Sequence, residues 1–294
     1  MYELIRAGER SYYIDCPAKI GLYDTGDGVC LIDSGNDKDA GRKVRQILDK
    51  NGWKLLAILI THSNADHTGG CQYLQKQTGC RVFAPGIEAA FTRAPVLEPA
   101  FLFGGFPPKP LRHKFLMAQP APAEDVSAPG FPEGVDILPL PGHFFDMAGY
   151  RTPDGTAYIA DCLSSAATLE KYGFPFIYDV GAYLETLRRL PQLEARLYVP
   201  AHAEAVEDIA PLAELNLRHV EAICEAVLEL CAEPTGFEEL LKRVFDRWGD
   251  TPQGMVVSAM EFLRVCKAQG FDQVVVSMKS SNTRVMVAAY RLLV

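Results

Sequence analysis

The sequence predicts an α+β fold, in which one large domain carries a smaller helical appendage. Three observations lead to this prediction. Strand-like and helix-like segments alternate along the first two thirds of the chain, polar residues follow several of the strands, and helical periodicity dominates after residue 205. The chain has 294 residues, of which 48% are hydrophobic and 22% are charged, as is typical of a globular protein with a sizeable core.

The first third of the chain contains the clearest alternation. Val44, Ile47 and Leu48 recur at helical spacing, whereas the run at 55–60 is continuously apolar, as in a strand that is buried on both faces. The predicted strands lie at 12–23, 29–32, 55–60 and 81–84, with a polar turn at 24–28, and the predicted helices lie at 39–51 and 71–77.

The stretch 94–132 differs from its surroundings because it is rich in proline, phenylalanine and glycine. We interpret it as a loop excursion, and long loops inside a compact domain are often functional. Regular elements are predicted again after it, namely strands at 136–140, 156–160 and 196–200 and a helix at 180–189. Together these segments define a first domain over 1–204.

The second domain is predicted over 205–294. Its pattern predicts helices at 209–230, 237–247 and 252–268, followed by a hairpin of 274–278 with 285–293. Three helices and a hairpin are typical of a winged-helix-like fold. This region contains nine basic and thirteen acidic residues, so packing on the first domain or homodimerisation is a better interpretation than DNA binding.

Composition narrows the classes of partner. The net charge is −8, which argues against nucleic acid as a partner, and no apolar stretch approaches the length of a membrane span. The first residues lack a signal-peptide pattern, and the eight cysteines are scattered without CxxC spacing. We therefore expect a cytoplasmic protein that acts on a small molecule, without a membrane partner.

The candidate site is formed by histidines and acidic residues that follow predicted strands. His62, His143 and His202 each come directly after one, His67 lies in the same loop as His62, and Asp161 follows the strand TAYIA. Each residue alone has an ordinary structural explanation, as a hydrogen-bonded turn or cap residue. Because the ends of strands converge at one edge of a sheet, their joint occurrence predicts a site for zinc or another first-row divalent metal.

These residues also carry a family resemblance. THSNADHTGG at 61–70 resembles the metallo-β-lactamase superfamily signature THxHxDHxGG, and PGH at 141–143, AD at 160–161 and PAH at 200–202 are similar to the later metal motifs of that family. LIDSG at 31–35 resembles the segment that precedes the signature. The resemblance covers residues 10–204 and implies a four-layered αββα sandwich with its site at one edge of two sheets.

The resemblance also implies a set of ligands. The first metal position would use His62, residue 64 and His143, the second would use Asp66, His67 and His202, and Asp161 would bridge the two. Residue 64 is asparagine where the family usually has histidine. Three consequences stay open: both metals bind, with the first bound more weakly; only one binds tightly; or His62, His143 and Asp161 bind iron(II) as a two-histidine, one-carboxylate set.

The function that follows is hydrolysis. A metal-bound hydroxide would attack an ester, thioester, lactone, amide or phosphodiester of a small substrate, with Asp66 or a metal-bound water handling the proton. One or two divalent ions are implied, with zinc expected and iron or manganese as alternatives. The competing functions are a mononuclear iron dioxygenase of the persulfide dioxygenase type, a weakened mono-metal hydrolase, and a non-catalytic scaffold. The sequence assigns no substrate-binding residue, although the phenylalanines of the excursion are candidates for a substrate wall.

Overall fold

The computed structural model describes residues 2–236, 239–240 and 243. The chain falls into two compact units, the first formed by Met1–Ser165 with Phe176–Leu217 and the second by Ala166–Pro175 with Arg218–Val294. The prediction of a boundary between residues 204 and 205 stays a prediction.

The larger sheet has seven strands that lie in the order of the sequence. Its first four strands are antiparallel neighbours, and the pairs from β4 to β7 are parallel. The strands are β1 (Glu3–Arg6), β2 (Ser11–Asp15), β3 (Ile20–Asp24), β4 (Val29–Ile32), β5 (Leu55–Leu59), β6 (Arg81–Ala84) and β7 (Glu124–Asp125). The helices of this half are α1 (Lys38–Lys50), α2 (Ala65–Thr68), α3 (Cys71–Thr78), α4 (Glu88–Arg93) and α5 (Leu97–Phe103).

The smaller sheet has four strands. They are β8 (Asp136–Pro139), β9 (Ala148–Arg151), β10 (Thr156–Ser164) and β11 (Leu197–His202), and they lie in the order β11-β10-β9-β8. The remaining helices are α6 (Ala166–Tyr172), α7 (Val180–Arg189) and α8 (Ala210–Leu230). No helix in the described ranges combines the length and the apolar character needed to cross a bilayer.

The two faces of the larger sheet are covered differently, and alternate residues of β4 show how. Val29 and Leu31 pack with Val44 of α1 in one apolar cluster, whereas Cys30 and Ile32 join Tyr150 and Tyr158 of the smaller sheet in another. On the smaller sheet, α7 buries Tyr183 and Leu187 and contacts β10. Helices, sheet, sheet and helix thus form four layers, and the predicted αββα sandwich is confirmed.

Several element predictions need correction. The predicted strand 12–23 is two antiparallel strands, because Cys16–Lys19 contains Pro17 and turns the chain between β2 and β3. β1 and β9 were not predicted, and the excursion 94–132 contains α5 and β7 rather than loop alone. The predicted helix 209–230 corresponds to α8. The helices and hairpin predicted after residue 237, and with them the winged-helix interpretation, lie outside the described residues.

Candidate metal centre

The loop that follows β5 delivers the first group of site residues. After Leu59 the chain runs through Thr61 and His62 into the single turn of α2, and then directly into α3. Gly69 and Gly70 allow this, because a Cβ atom on Gly69 would lie 2.2 Å from the carbonyl carbon of Asn36 and one on Gly70 would lie 2.2 Å from the carbonyl oxygen of Ser34. The two glycines of the signature therefore let the loop pack against the loop that follows β4.

The smaller sheet delivers Asp161 and His202 through an irregular strand pair, and His143 lies in the loop between β8 and β9. Ala160 has a positive φ of 50°, and the register between β10 and β11 shifts on both sides of it. Such bulges turn side chains away from the regular alternation of a strand. Asp161 follows this bulge, and His202 ends the neighbouring strand, so both side chains reach the same edge.

Four of the predicted ligands form one compact group of donor atoms. The ligand atoms of Asp66, His67, Asp161 and His202 all lie within 4.8 Å of one another. Nε2 of His67 lies 3.2 Å from Oδ1 of Asp161, and Nε2 of His202 lies 3.2 Å from Oδ2 of Asp161 and 3.5 Å from Oδ2 of Asp66. Two ligands of one tetrahedral ion with bonds near 2.1 Å are separated by about 3.4 Å, so the spacing fits a single metal position.

A second group shares Asp161 with the first. Its members are His62, His143 and Asp161, and their ligand atoms also lie within 4.8 Å of one another. Oδ2 of Asp161 is 3.9 Å from Nε2 of His62 and 3.7 Å from Nε2 of His143. Oδ1 of Asn64 lies 3.3 Å from Nε2 of His143. A neutral amide oxygen therefore stands where the family usually has a third imidazole.

Three buried polar atoms test whether these groups fit a metal. Nε2 of His62, Nε2 of His67 and Oδ1 of Asp161 are buried and make no well-directed hydrogen bond with the described residues, although the last two lie 3.2 Å apart. Leaving such atoms unsatisfied costs roughly 1–3 kcal/mol each. All three are ligand atoms of the two groups, and imidazole nitrogen and carboxylate oxygen are donors that suit zinc, iron and manganese. The donor set therefore fits one or two divalent cations that share Asp161.

The electrostatics of the site favour ionised carboxylates. Although burial opposes this, His202 and His67 hold the pKa of Asp161 well below its ordinary value, and His67 and His202 lower the pKa of Asp66 as well. Asp161 raises the pKa of His202 to about 10. Burial lowers the pKa of His62, and it also lowers that of His143. Both carboxylates are thus available as anionic ligands, and a cation must displace the proton of His202 to bind there.

One residue that supports the ligands lies in the LIDSG segment. Asp33 accepts hydrogen bonds from the backbone N–H of Thr61 (2.8 Å) and from its hydroxyl (2.8 Å), and it contacts Nδ1 of His67 at 2.8 Å. It is buried and has a positive φ of 66°. A carboxylate on the far nitrogen of a ligand histidine orients the ring and strengthens it as a ligand. The segment was noticed in the sequence, but this contact was not predicted.

Two buried glutamates were missed entirely. Glu88 of α4 accepts hydrogen bonds from the backbone N–H and hydroxyl of Ser63, and Glu98 of α5 accepts one from Nδ2 of Asn64 at 2.7 Å. Burial raises the pKa of Glu88 to about 7 and that of Glu98 to about 8. Nothing in the sequence distinguishes them from the exposed glutamates of other helices, because their burial arises only from packing.

An aromatic surface begins at His143. Phe176 lies 5.5 Å from the ring of His143, and Phe145 stacks on Tyr178 at 4.0 Å and lies 5.0 Å from Phe101. Phe101, Phe176 and Tyr178 remain 42–44% exposed. The excursion therefore contributes Phe101 to an apolar surface that is continuous with the site. Three other phenylalanines of the excursion are more exposed than Phe101, namely Phe103, Phe106 and Phe115.

The structure brings all seven predicted site residues to one edge of the two sheets. The six histidine and aspartate side chains belong to the two groups of donor atoms, and Asn64 contacts His143. Their assignment as ligands, and that of Asp66 as the proton-handling group, stays a prediction that this geometry accommodates.

The C-terminal segment resembles a different family. Residues 237–294 match the family described as the GcpE TIM-barrel domain. The 4-hydroxy-3-methylbut-2-en-1-yl diphosphate synthase (flavodoxin) of Parabacteroides distasonis is 58% identical over 55 residues, which make up 19% of this chain and 9% of that enzyme. The chloroplastic, ferredoxin-type synthase of Oryza sativa subsp. japonica is 41% identical over 86 residues, or 27% of this chain and 12% of that enzyme. The chain spans about a tenth of the length of these curated relatives.

Solved structures resemble the larger part of the chain. A metallo-β-lactamase family protein from Thermus thermophilus aligns with a TM-score of 0.61 and 24% identity over 80% of this chain and 87% of its own. A metallo-β-lactamase from Pontibacter korlensis aligns with a TM-score of 0.56 and 17% identity over 75% of this chain and 99% of its own. At these identities the alignments show the shared fold.

The sequence itself assigns the family. Residues 13–202, nearly two thirds of the chain, match the model of the metallo-β-lactamase superfamily, and this range contains every donor atom of the two groups described above. The chain belongs to the metallo-β-lactamase superfamily.

Proposed function

We propose that the protein is a metal-dependent hydrolase that cleaves an ester, thioester, lactone, amide or phosphodiester bond of a small substrate. The observation that carries the proposal is the convergence of four imidazoles and two carboxylates on two groups of donor atoms that share Asp161. When bound, a divalent ion lowers the pKa of water to about 7 and supplies a nucleophile at neutral pH. The proposal rests on residues 13–202 alone.

The exposure of the ligands indicates the side from which a substrate approaches. The side chains of His62 and His67 are 0% exposed, whereas those of His202 and Asp66 are 28% and 44% exposed. The site is therefore closed around His62 and His67, and it is open to solvent beside Asp66 and His202. Because His67 and His202 keep Asp66 ionised, its outer edge can accept a hydrogen bond from water and orient that water or a leaving group.

The aromatic surface suggests the chemical character of the substrate. Phe176, Phe101 and Tyr178 present partly exposed rings that begin 5.5 Å from His143, so an apolar or aromatic acyl group would be desolvated there. Two divalent cations against the carboxylates of Asp66 and Asp161 leave the site positively charged, which favours a substrate that also carries an anionic group. We therefore place first among the substrates thioesters and esters that have an apolar acyl chain and carry an anionic group elsewhere in the molecule.

We also propose the cytoplasm as the compartment. All seven cysteines in the described part of the chain are free thiols, in keeping with a reducing environment. We also propose that the substrate is a small molecule and that the protein forms a homodimer.

One observation favours a second candidate function. His62, His143 and Asp161 form a group of two histidines and one carboxylate, the set that leaves open positions on iron(II) in oxygenases. An iron dioxygenase acting on a small thiol derivative would purify with iron and consume oxygen, whereas the hydrolase would purify with zinc or manganese and release an acid. Elemental analysis together with an oxygen electrode separates the two.

The hydrolase proposal is tested by removing one shared ligand. Asp161→Ala deletes the carboxylate common to both groups, so we expect retained metal and turnover of an ester and thioester panel to fall to background. Cys162→Ala is the matched control, since Cys162 follows Asp161, is buried and contributes to neither group. Metal is measured by mass spectrometry of the purified proteins. Full turnover in Asp161→Ala, or a wild-type protein that binds no divalent ion, would contradict the proposal.

A further inference from the structure

Asn64 stands at the N-cap position of α2, but its side chain does not cap the helix. It is the N-cap residue of α2, a position where asparagine usually accepts a hydrogen bond from the helix backbone, yet its side chain makes no such bond. Instead its Nδ2 donates to Oε1 of Glu98 at 2.7 Å and its Oδ1 lies 3.3 Å from Nε2 of His143. The side chain of Asn64 therefore does not cap α2 and instead bridges Glu98 and His143.

Glu98 is an unusual partner for such a bridge. It is 6% exposed, and in the described part of the chain its carboxyl group hydrogen-bonds only to Asn64 and pairs with no lysine or arginine. Burying a carboxylate with a single neutral partner is costly unless a positive charge lies nearby. A cation bound by His62, His143 and Asp161 would supply that charge, with the side chain of Asn64 between the cation and Glu98.

The chemistry of the pair fixes which way the amide points. An amide NH₂ group only donates and an ionised carboxylate only accepts, so when Glu98 is ionised the Nδ2 side of Asn64 must face it and the Oδ1 side must face His143. The 3.3 Å between Oδ1 and Nε2 of His143 is close to the separation of about 3.4 Å expected for two ligands of one tetrahedral ion.

We propose that Glu98 is a positioning residue that holds Oδ1 of Asn64 as an oxygen ligand of the first metal position. By accepting a hydrogen bond from Nδ2, Glu98 orients the amide and increases the electron density on its oxygen, as a carboxylate does for a ligand histidine. Glu98 thus offsets part of the metal affinity that the first position loses when asparagine stands in place of histidine. The inference rests on the metal-binding part of the proposed function.

A consequence follows for metal preference. Carbonyl and carboxylate oxygens suit manganese and magnesium, whereas imidazole suits zinc, copper and nickel. The first position, with one oxygen in place of an imidazole, should therefore accept manganese more readily relative to zinc than the same position does in an Asn64→His variant, which restores the imidazole.

The experiment is a titration of the purified, metal-depleted protein with Co²⁺, followed by visible absorption. His143→Ala identifies the binding phase of the first position as the phase that it abolishes. Glu98→Gln should weaken that phase about tenfold or more, while the other phase changes less than twofold. Asn64→Ala should weaken the same phase, and adding Glu98→Gln to Asn64→Ala should have no further effect, because Glu98 acts through Asn64.

Each outcome decides the question. Equal weakening of both phases by Glu98→Gln, or an effect of Glu98→Gln that persists in the Asn64→Ala background, indicates a general structural role and overturns the inference. If Glu98→Gln fails to fold, Asn64→Ala with Glu98 intact still tests it, since an unchanged first phase overturns it. A wild-type protein that binds no cobalt contradicts the proposed function itself, whereas unselective weakening contradicts only the role of Glu98.

Discussion

At the scale of single residues, Asp33 shows how the site is organised by a buried residue that belongs to neither group of donor atoms. Its carboxylate joins the backbone and hydroxyl of Thr61 to the ring of His67, each at 2.8 Å. Because Nδ1 of His67 is engaged by Asp33, its other nitrogen faces Asp161 at 3.2 Å. The orientation of a ligand and the position of the β5 loop therefore depend on the same carboxylate.

We expect Asp33→Asn to weaken metal binding about 10- to 100-fold. Asparagine tolerates the positive φ of 66° at this position, so the backbone should persist, but the amide nitrogen cannot accept a hydrogen bond from either Thr61 or His67. Affinity is measured by competition with a chromogenic chelator. Asp154→Asn is the control, since Asp154 also accepts several hydrogen bonds, from Ser11 among others, but lies at the β9–β10 turn. Equal losses in the two variants would assign Asp33 a purely structural role.

The residues of the site differ in how well the sequence could predict them. His62 and His143 follow strands and His202 ends one, and those positions bring them to one edge of the sheets. Glu88 and Glu98 carry no comparable signal, because whether an acidic side chain on a short helix is buried depends on what the rest of the chain packs against it. Asn64 departs from the family signature and was therefore noticed. Its contact with Glu98 joins residues 34 positions apart, so no pattern in the neighbouring sequence predicts that contact.

At the scale of elements, the junction between α2 and α3 packs closely against the loop after β4. The main chain at Gly70 lies so close to the loop after β4 that an added Cβ would be 2.2 Å from the carbonyl oxygen of Ser34. That oxygen belongs to backbone and cannot rotate away. The loop that carries His62 and His67 is thus held in place by contact between two main chains.

Gly70→Ala should therefore lower the free energy of unfolding by about 1–3 kcal/mol, the usual cost of overpacking, and lower metal affinity with it. The measurement is the thermal unfolding midpoint together with a chelator titration. Gly105→Ala is the matched control, because a Cβ there meets nothing within 4 Å, and it should leave both quantities unchanged. A Gly70→Ala protein as stable as wild type would show that the two loops can move apart freely.

Elements were predicted best where burial produces a simple pattern. β5 and α1 were predicted because one is continuously apolar and the other has apolar residues at helical spacing. The tight turn at Pro17 was overlooked within a run of strand-like residues, so β2 and β3 were joined. β9 is short and contains Gly149, and its strand conformation depends on pairing with both β8 and β10, which local sequence does not reveal.

At the scale of the whole molecule, the four-layered sandwich followed from the ordered set of motifs rather than from periodicity. The motifs fix which strand ends must meet, and with them the pairing of the two sheets. Periodicity alone left open how many layers the strands and helices form. It also suggested a winged helix after residue 205, whereas the family match over 237–294 is to a segment of a TIM-barrel domain, so helical spacing there is compatible with more than one fold.

The pH dependence of global stability should be sensitive to Glu88. Burial raises its pKa to about 7, against hydrogen bonds from Ser63 and the backbone N–H of Asp146 that lower it. Below about pH 4.5 the folded and unfolded states are both protonated at this residue, and it contributes nothing. Between about 4.5 and 7 the unfolded state releases the proton while the folded state keeps it, so the free energy of unfolding falls as pH rises.

Above pH 7 the loss is complete and amounts to at most about 3 kcal/mol. Glu88→Gln removes the titrating group, so the difference in stability between pH 5 and pH 8 should be smaller in this variant than in wild type, as measured by urea unfolding. Glu170→Gln, which changes an exposed glutamate of α6, should preserve the wild-type difference. If Glu88→Gln also preserves the wild-type difference, the ionisation of Glu88 is not linked to folding. The hydrogen bonds that Ser63 donates then fully offset the cost of burying the carboxylate.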